Sequence, residues 1–378
     1  MLQYKNTTMI IGFDAKRAFV NKAGLGNYSR DVIRSLQDLY PENKYVLFST
    51  ENPYGLVEEK YCSNLIMPPE GSSKIAQARW RSIHLGKFIE QQGIEIFHGL
   101  SNELPRDINK TKAVKVVTIH DLIFLKFPQL YKYFDRKIYD YKFRYACEKS
   151  DRIIATSSQT KKDIMEFYGI SDKKIDVLYQ TCNPKYAEKV SEEEKERIRK
   201  SNNLPEHYML SVGTIERRKN THRILEAVYE HNIDIDIVMV GRKTEYFDEI
   251  KAYADSHGLS SRLHVYERLG NADLPAIYQM ADIFIYPSMY EGFGIPILEA
   301  FFSGTPVITN SNGSTGEIAG NAAFTINAPH KDNLAEAIKY LLDNEGERQK
   351  LIARGYERSK RFDRKLITEE LMTFYNKL

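Results

Sequence analysis

Short apolar runs recur along this chain, and most of them lead into a helical segment rather than a tight hairpin turn. Residues 9–13, 45–48, 94–98, 115–119, 152–155 and 175–178 have the composition and length of strands. Helical spacing follows at 24–39, where Val32, Ile33, Leu36 and Leu39 share one face, and at 77–89, 134–149 and 158–168; residues 14–23 read as a loop. Strands alternating with helices predict a parallel, doubly wound α/β sheet. Residues 184–201 interrupt the pattern with a charge run, 191–200, that reads as a solvated helix. The alternation then restarts, with strands expected at 208–212, 235–240, 263–265, 283–286 and 306–309. A chain of 378 residues is long for one core, so two Rossmann-like domains are expected. The boundaries predicted are 1–185, 186–362 and a final helix in 363–378 that crosses back to the first domain. Ligands of such sheets bind beyond the carboxyl ends of the strands, which directs attention to the loops after Gly213, Gly241 and Tyr286.

The stretch 286–304 carries the strongest chemical signal. Glu291 stands in a glycine-punctuated loop and Glu299 in the apolar helix that follows, with Gly292, Phe293 and Gly294 between them. Backbone amides at a helix N-terminus hold anions, and the flanking carboxylates suit neutral hydroxyls. Phosphate and hydroxyls together describe a sugar nucleotide. Glu291 alone would be an ordinary surface carboxylate. Glu299, set among Ile295, Ile297, Leu298, Ala300 and Phe301, needs a partner to offset its desolvation, and a ribose diol would supply two donors.

A second signal is the turn 213–220, where Arg217, Arg218 and Lys219 follow a strand and precede a helix. Cations there would stabilise the charge that develops on a diphosphate leaving group; the alternative is a solvated basic turn. Thr221 is placed to cap the next helix under either reading. Gly24 and Gly26 open a helix, as a tight turn or as a phosphate approach. His120 and Asp121 follow the strand 115–119, and His98 ends the strand 94–98, so each projects from a carboxyl edge, as a structural or a site residue.

Charge is unevenly divided. Residues 1–186 hold 29 Lys and Arg against 21 Asp and Glu, a surplus of +8, and the remainder holds 25 against 30, a balance of −5. The basic half fits nucleic acid, an anionic membrane surface or a phosphorylated acceptor. Within it, residues 126–149 interleave Lys126, Lys132, Arg136, Lys137, Lys142, Arg144 and Lys149 with aromatics including Tyr131, Phe134 and Tyr139. That segment reads either as an amphipathic helix packing its rings inward or as a membrane-surface contact. No recognition motif accompanies the charge, so nucleic acid is not expected. Residues 1–8 lack the apolar core of a signal peptide, and no run reaches the length of a bilayer span. Cys62, Cys147 and Cys182 are odd in number, without metal-ligand spacing. A cytoplasmic location is expected, with peripheral attachment to the inner face of the plasma membrane as an extension.

These segments, in this order, resemble glycosyltransferase family 4, retaining enzymes of the GT-B fold. The resemblance rests on Ala23-Gly-Leu-Gly-Asn-Tyr28, Ile119-His-Asp-Leu122, Val212-Gly-Thr-Ile-Glu-Arg-Arg-Lys-Asn220 and the Glu-x7-Glu motif Glu291–Glu299. It implies two doubly wound domains facing across a cleft, and a nucleotide-sugar donor without a metal or other cofactor. It also implies roles. Glu291 would contact the donor sugar, with the amides of Phe293, Gly294 and Ile295 near sugar and phosphate. Glu299 would bind the ribose. Arg218 and Lys219 would stabilise the diphosphate. Gly24 and Gly26 would let backbone approach the phosphates, with Gly213 at the same donor site. His120 would border the anomeric centre, and His98, Asp121 and Tyr131 are acceptor-side candidates. Retention is pictured as front-face attack, a donor phosphate oxygen taking the acceptor proton, so no side-chain base is named. Many members carry an arginine where this chain has Thr214, and Arg217 or Arg218 is expected to cover that position. The style of the sequence, including 179–183, resembles bacterial surface-polysaccharide mannosyltransferases. It points to GDP-mannose, with a UDP-hexose next, and to a lipid-linked or oligosaccharide acceptor. Base recognition is expected from backbone near Gly241 and residues 266–269.

Two other classes compete. A dinucleotide-dependent oxidoreductase would want its glycine turn tight after the first strand, but ten residues separate Phe13 from Gly24 and no third glycine follows in register. A non-catalytic scaffold or a sugar-nucleotide epimerase on the same fold would share much of the pattern.

Overall fold

The computed structural model describes residues 8–51, 55–267, 269–270, 272–327 and 331–378. All but the last residue of the 1–8 stretch, and Arg268 of the expected base-contact segment, lie outside them. Contacts divide the chain into two compact units, Met1–Thr181 with Arg364–Leu378, and Cys182–Asp363.

The first unit is a seven-stranded parallel sheet. Its strands are β1 (Ile10–Asp14), β2 (Lys44–Phe48), β3 (Leu65–Ile66), β4 (Ile96–Gly99), β5 (Val114–Ile119), β6 (Arg152–Ala155) and β7 (Ile175–Val177), in the order β3-β2-β1-β4-β5-β6-β7. The second is a six-stranded sheet of β8 (Tyr208–Val212), β9 (Asp236–Val240), β10 (Leu263–Tyr266), β11 (Ile283–Tyr286), β12 (Val307–Asn310) and β13 (Phe324–Ile326), ordered β10-β9-β8-β11-β12-β13. Strand order reverses between β1 and β4 in one sheet and between β8 and β11 in the other. Loops leaving those strands splay apart there and leave the crevice that parallel sheets use for ligands. The turn 213–220 follows β8 and the loop before Glu299 follows β11, so both chemical signals of the second unit meet at its switch point.

Several expectations need correction. Residues 14–23 are not wholly a loop, since Lys16–Val20 is a short helix whose Ala18 and Phe19 are buried. The helix expected over 77–89 is three pieces, Lys74–Arg79, a π-helical turn Trp80–His84, and Leu85–Gln91. The widened turn places Arg81 against Asp14 at the end of β1 and against Glu103. Edge strands β3 and β13 were missed, being two and three residues long.

Packing explains two residues proposed as functional. His98 lies on β4 and is fully buried. Its Nδ1 is 2.6 Å from the Tyr375 hydroxyl and its Nε2 is 2.8 Å from Thr118 Oγ1. Tyr375 ends the helix Arg364–Tyr375, whose Leu371, Met372 and Phe374 join the core around β1 and β2. Burial holds the imidazole down at about 3, so it is neutral. An acceptor cannot reach it, and His98 is a core residue that pins the final helix. Gly26 is likewise structural. A Cβ there would stand 1.8 Å from the Asn21 carbonyl oxygen, whereas one at Gly24 meets open space.

Gly26→Ala should therefore destabilise the protein by about 1–3 kcal/mol through overpacking, read as a lower midpoint in urea. Gly24→Ala should leave that midpoint in place.

Candidate active site

In the second unit the turn after β8 is shaped by glycine. Gly213 has φ +138 and Gly241, after β9, has φ +155; a Cβ at Gly241 would sit 1.9 Å from the Gly213 carbonyl oxygen. Only glycines let these two strand ends touch. The chain then makes a tight helical turn over Arg217–Lys219 that ends in left-handed Asn220, and Lys219 folds back beneath it. Its Nζ donates to Glu291 Oε1 at 2.6 Å and to the Tyr286 hydroxyl at 2.7 Å. Arg218 pairs with Glu291 Oε2 at 2.7 Å and with Glu216 at 2.6 Å.

Glu291 is therefore not a surface carboxylate. It is 8% exposed, and its backbone carbonyl is anchored by Ser314 Oγ at 2.7 Å. Burial alone would push the carboxyl up, but Lys219 and then Arg218 hold it at about 2. Burial pulls the Lys219 ammonium down while Glu291 opposes the shift. The three groups form one buried charge network. Arg217 takes no part, because it turns outward to pair with Glu249 and lies over the Tyr246 ring. Of the two cations expected to cover Thr214, Arg218 faces the carboxylate and Arg217 does not. Thr221 stands at the N-cap position, but its hydroxyl makes no cap bond and is buried without a hydrogen-bond partner among the described residues.

Past Glu291 the loop is buried through Phe293 and Gly294. Gly294 has φ +120, which turns the chain into the helix Ile295–Ser303. Phe293 meets Phe362 edge to face at 6.1 Å, so the loop that presents these amides is packed from behind. Glu299, on that helix, is only partly buried. The Tyr278 hydroxyl donates to its Oε2 at 2.8 Å, and the Tyr186 phenol, its ring 5.6 Å from that of Tyr278, also favours the ionised carboxylate. Burial raises this carboxyl to about 6, while the two phenols oppose the rise.

The sequence showed neither tyrosine, nor Tyr286 or Glu216 as partners of the cations. Tyr186 and Tyr278 reach the site through tertiary packing, at separations no motif encodes, whereas Glu216 and Tyr286 lie within the two marked stretches and only their contacts were hidden.

In the first unit, His120 follows β5 and is 6% exposed. Its backbone N–H donates to Asn102 Oδ1 at 2.7 Å, and Nε2 lies 2.9 Å from the Leu100 carbonyl. A carbonyl only accepts, so Nε2 carries the proton and Nδ1 keeps its lone pair. No hydrogen bond to Nδ1 is found among the described residues. Burial lowers the imidazole to about 4 against the Leu100 bond, so it is neutral at physiological pH. Tyr28, on the helix that opens at Gly24, meets the ring edge to face at 4.7 Å. The glycine loop and His120 are thus neighbours. Asp121 Oδ1 accepts from the Ile123 N–H at 3.1 Å and starts the next helical turn. Tyr131 packs edge-on against Phe124 at 6.3 Å.

The helix Tyr133–Lys149 overturns the inward-packing reading for its first half. Tyr133, Phe134, Ile138, Tyr139 and Tyr141 are exposed, Phe134 to 78%. Among the described residues, no helix is long and apolar enough to cross a membrane.

With this geometry in place, comparison with known proteins is direct. Residues 23–185 match the family model of Glycosyltransferase Family 4, and residues 192–358 match that of Glycosyl transferases group 1. The chain belongs to these glycosyltransferases. It is 26% identical over 75% of its length to O-antigen chain mannosyltransferase B of Escherichia coli, covering 74% of that protein. It is 25% identical over 88% of its length to the serotype-specific mannosyltransferase WbdA of the same species, of which it spans only 41%. Among solved structures, sucrose-phosphate synthase from Thermosynechococcus elongatus superposes with a TM-score of 0.78 at 19% identity, over 98% of each chain. HepE of Anabaena in complex with UDP-glucose gives 0.78 at 15%, over 98% of this chain and all of that one. The fold is GT-B, and the protein is a sugar-transferring enzyme.

Glu291→Ala leaves Arg218 and Lys219 buried without their carboxylate and should cost about 3–5 kcal/mol, measured by chemical denaturation. The sign in pH follows from the depressed carboxyl. Its stabilisation is fully present above the ordinary carboxylate range and is lost as pH falls through that range towards about 2. The stability gap between wild type and variant should therefore narrow on acidification.

Proposed function

We propose that this protein is a retaining hexosyltransferase of surface-polysaccharide synthesis. It would take mannose from GDP-mannose as first choice, with a UDP-hexose as the next, and deliver it to a lipid-linked or oligosaccharide acceptor without a metal. The observation that carries this reading is the network of Glu291, Lys219 and Arg218 at the β8/β11 switch point. It places two cations and an ionised carboxylate within hydrogen-bonding distance of one another, beside a glycine-turned helix N-terminus. Support for mannose comes from the names of the O-antigen relatives, and support for a nucleotide-sugar donor from the neighbour solved with UDP-glucose.

Each residue then has a task. The diphosphate meets Arg218 and Lys219, whose charge offsets the negative charge that grows as the glycosidic bond to phosphate breaks. Glu291, ionised at any physiological pH, accepts from sugar hydroxyls while it shares those cations. Amides of Phe293, Gly294 and Ile295 add donors near sugar and phosphate. Glu299 accepts from the ribose diol. In the first unit, His120 is neutral and offers Nδ1 as an acceptor to a sugar or acceptor hydroxyl. A histidine held near 4 is a poor proton store, which fits proton transfer to a phosphate oxygen rather than to this ring. Gly24, exposed and with open space where a Cβ would stand, leaves its backbone approachable by a phosphate. Asp121 and Tyr131 stay acceptor-side candidates.

The exposed side chains of Tyr133, Phe134, Ile138 and Tyr141 are interleaved with Lys132, Arg136 and Lys137. Cations with amphipathic rings suit the headgroup zone of an anionic bilayer, so this helix face is proposed as a peripheral contact on the inner face of the plasma membrane.

Lys219→Ala and Glu299→Ala should each abolish measurable transfer, the first through loss of about 2.7–4 kcal/mol of leaving-group stabilisation. Near-normal turnover in both would defeat the proposal. A panel of nucleotide sugars read by thermal shift identifies the donor, since ligand at a hundred times its Kd adds about 2.7 kcal/mol. For the membrane face, anionic vesicles should sediment the protein at low salt and release it at high salt. Phe134→Ser with Lys137→Ser should weaken that binding, and absence of binding at every salt concentration would refute the contact.

A further inference from the structure

Glu299 differs from Glu291 in one respect that the motif does not reveal: the side chains that bond it are neutral phenols. Tyr278 comes from the helix Leu274–Met280 and Tyr186 from the turn Pro184–Ala187. Among the described residues, no cation is among the groups that shift the Glu299 carboxyl.

Both phenols are held rigidly. The Tyr278 ring is fully buried, 5.1 Å from Phe284 and 5.6 Å, edge to face, from Tyr186. Its carbonyl accepts from Thr305 Oγ1 at 2.6 Å, and the Tyr186 carbonyl accepts from Ser303 Oγ at 3.3 Å. We infer that Tyr186 and Tyr278 are positioning residues that aim the Glu299 carboxylate at the cis-diol of a nucleoside diphosphate. This inference rests on the donor reading given above.

The reasoning is a count of acceptor positions. An ionised carboxylate offers about four lone-pair sites. The Tyr278 hydroxyl occupies one of them, the Tyr186 phenol beside it favours the ionised form, and at least two remain for the two hydroxyls of a ribose. A lysine or arginine in their place would fix the carboxylate as firmly but would neutralise it and attract the diphosphate to the wrong end of the nucleotide. Neutral phenols fix its direction and leave its charge. The consequence is a carboxyl that takes up a proton near about 6, and a protonated carboxyl has lost part of its capacity to accept from a diol.

The test is binding of GDP, UDP and their 2′-deoxy forms by titration calorimetry between about pH 5 and about pH 8. Wild-type affinity for the ribonucleotides should fall on acidification, and the deoxy forms should show a smaller fall. Tyr278→Phe and Tyr186→Phe keep both rings but remove one donor each, so the fall should move to higher pH by about half to one unit. A fall that stays in place in both variants overturns the positioning role. Glu299→Ala separates the two levels. Unchanged nucleotide binding in that variant would sink the donor reading itself, whereas weakened binding together with an unmoved pH profile in both tyrosine variants would sink only the tyrosine inference.

Discussion

The site of the second unit depends on one buried carboxylate held between two cations. Glu291 cannot be where it is without Lys219 and Arg218, because an ionised carboxylate in a nearly closed loop is too costly alone. The cations in turn cannot fold back under their own turn without the glycines at 213 and 241. The network therefore links the end of β8, the end of β9 and the loop after β11, and it builds local structure and chemistry from the same three charges. Under the proposed function, a diphosphate arriving here would meet cations whose positions are already fixed, so little reorganisation would be needed when charge develops on the leaving group.

A related economy governs the first unit. His98 and His120 end neighbouring strands and look alike in sequence, yet the sheet separates their fates. His98 lies inside β4 with both ring nitrogens bonded to Tyr375 and Thr118. His120 lies one residue past β5, uses Nε2 on the Leu100 carbonyl and keeps Nδ1 for use. A shift of two positions relative to the strand end separates a core residue from a candidate site residue.

Much of the architecture was legible because it is written in local patterns. Among the described residues, apolar runs and helical faces place eleven of the thirteen strands near their observed positions, and the two missed, β3 and β13, are edge strands of two and three residues that are only partly buried for most of their length and so lack a clear apolar run. The Glu-x7-Glu spacing and the Arg-Lys-Asn turn mark two loops that the fold brings together through Glu291, Arg218 and Lys219. What the pattern could not carry is which side chains touch. Arg217, Arg218 and Lys219 are consecutive and equally basic, and only the fold sends Arg217 to Glu249 while its neighbours close on Glu291. The aromatic, basic segment 126–149 reads by composition either as an inward-packing helix or as a membrane-surface contact, and only the fold shows that Ala146 and Cys147 near the helix end are buried while Tyr133 and Phe134 are exposed. Thr221 sits where a cap belongs, yet its hydroxyl lies in the interior.

The two glutamates of the motif show how environment assigns roles to identical side chains. Both are drawn into low-dielectric surroundings, which alone would raise both carboxyls. Cations reverse that for Glu291 and bring it to about 2; two phenols only moderate it for Glu299, which stands near about 6. The first is held ionised by its two cations, which under the proposed function would let it share them with a phosphate and accept from sugar hydroxyls. The second, with neutral phenols in place of cations, would be the pH-sensitive acceptor of the inference above. Eight residues separate them, and the loop-to-helix turn at Gly294 sends one carboxylate to the end of β8 and the other to the helix Leu274–Met280. The motif thus encodes two unlike groups, and the partners that make them unlike come from elsewhere in the chain.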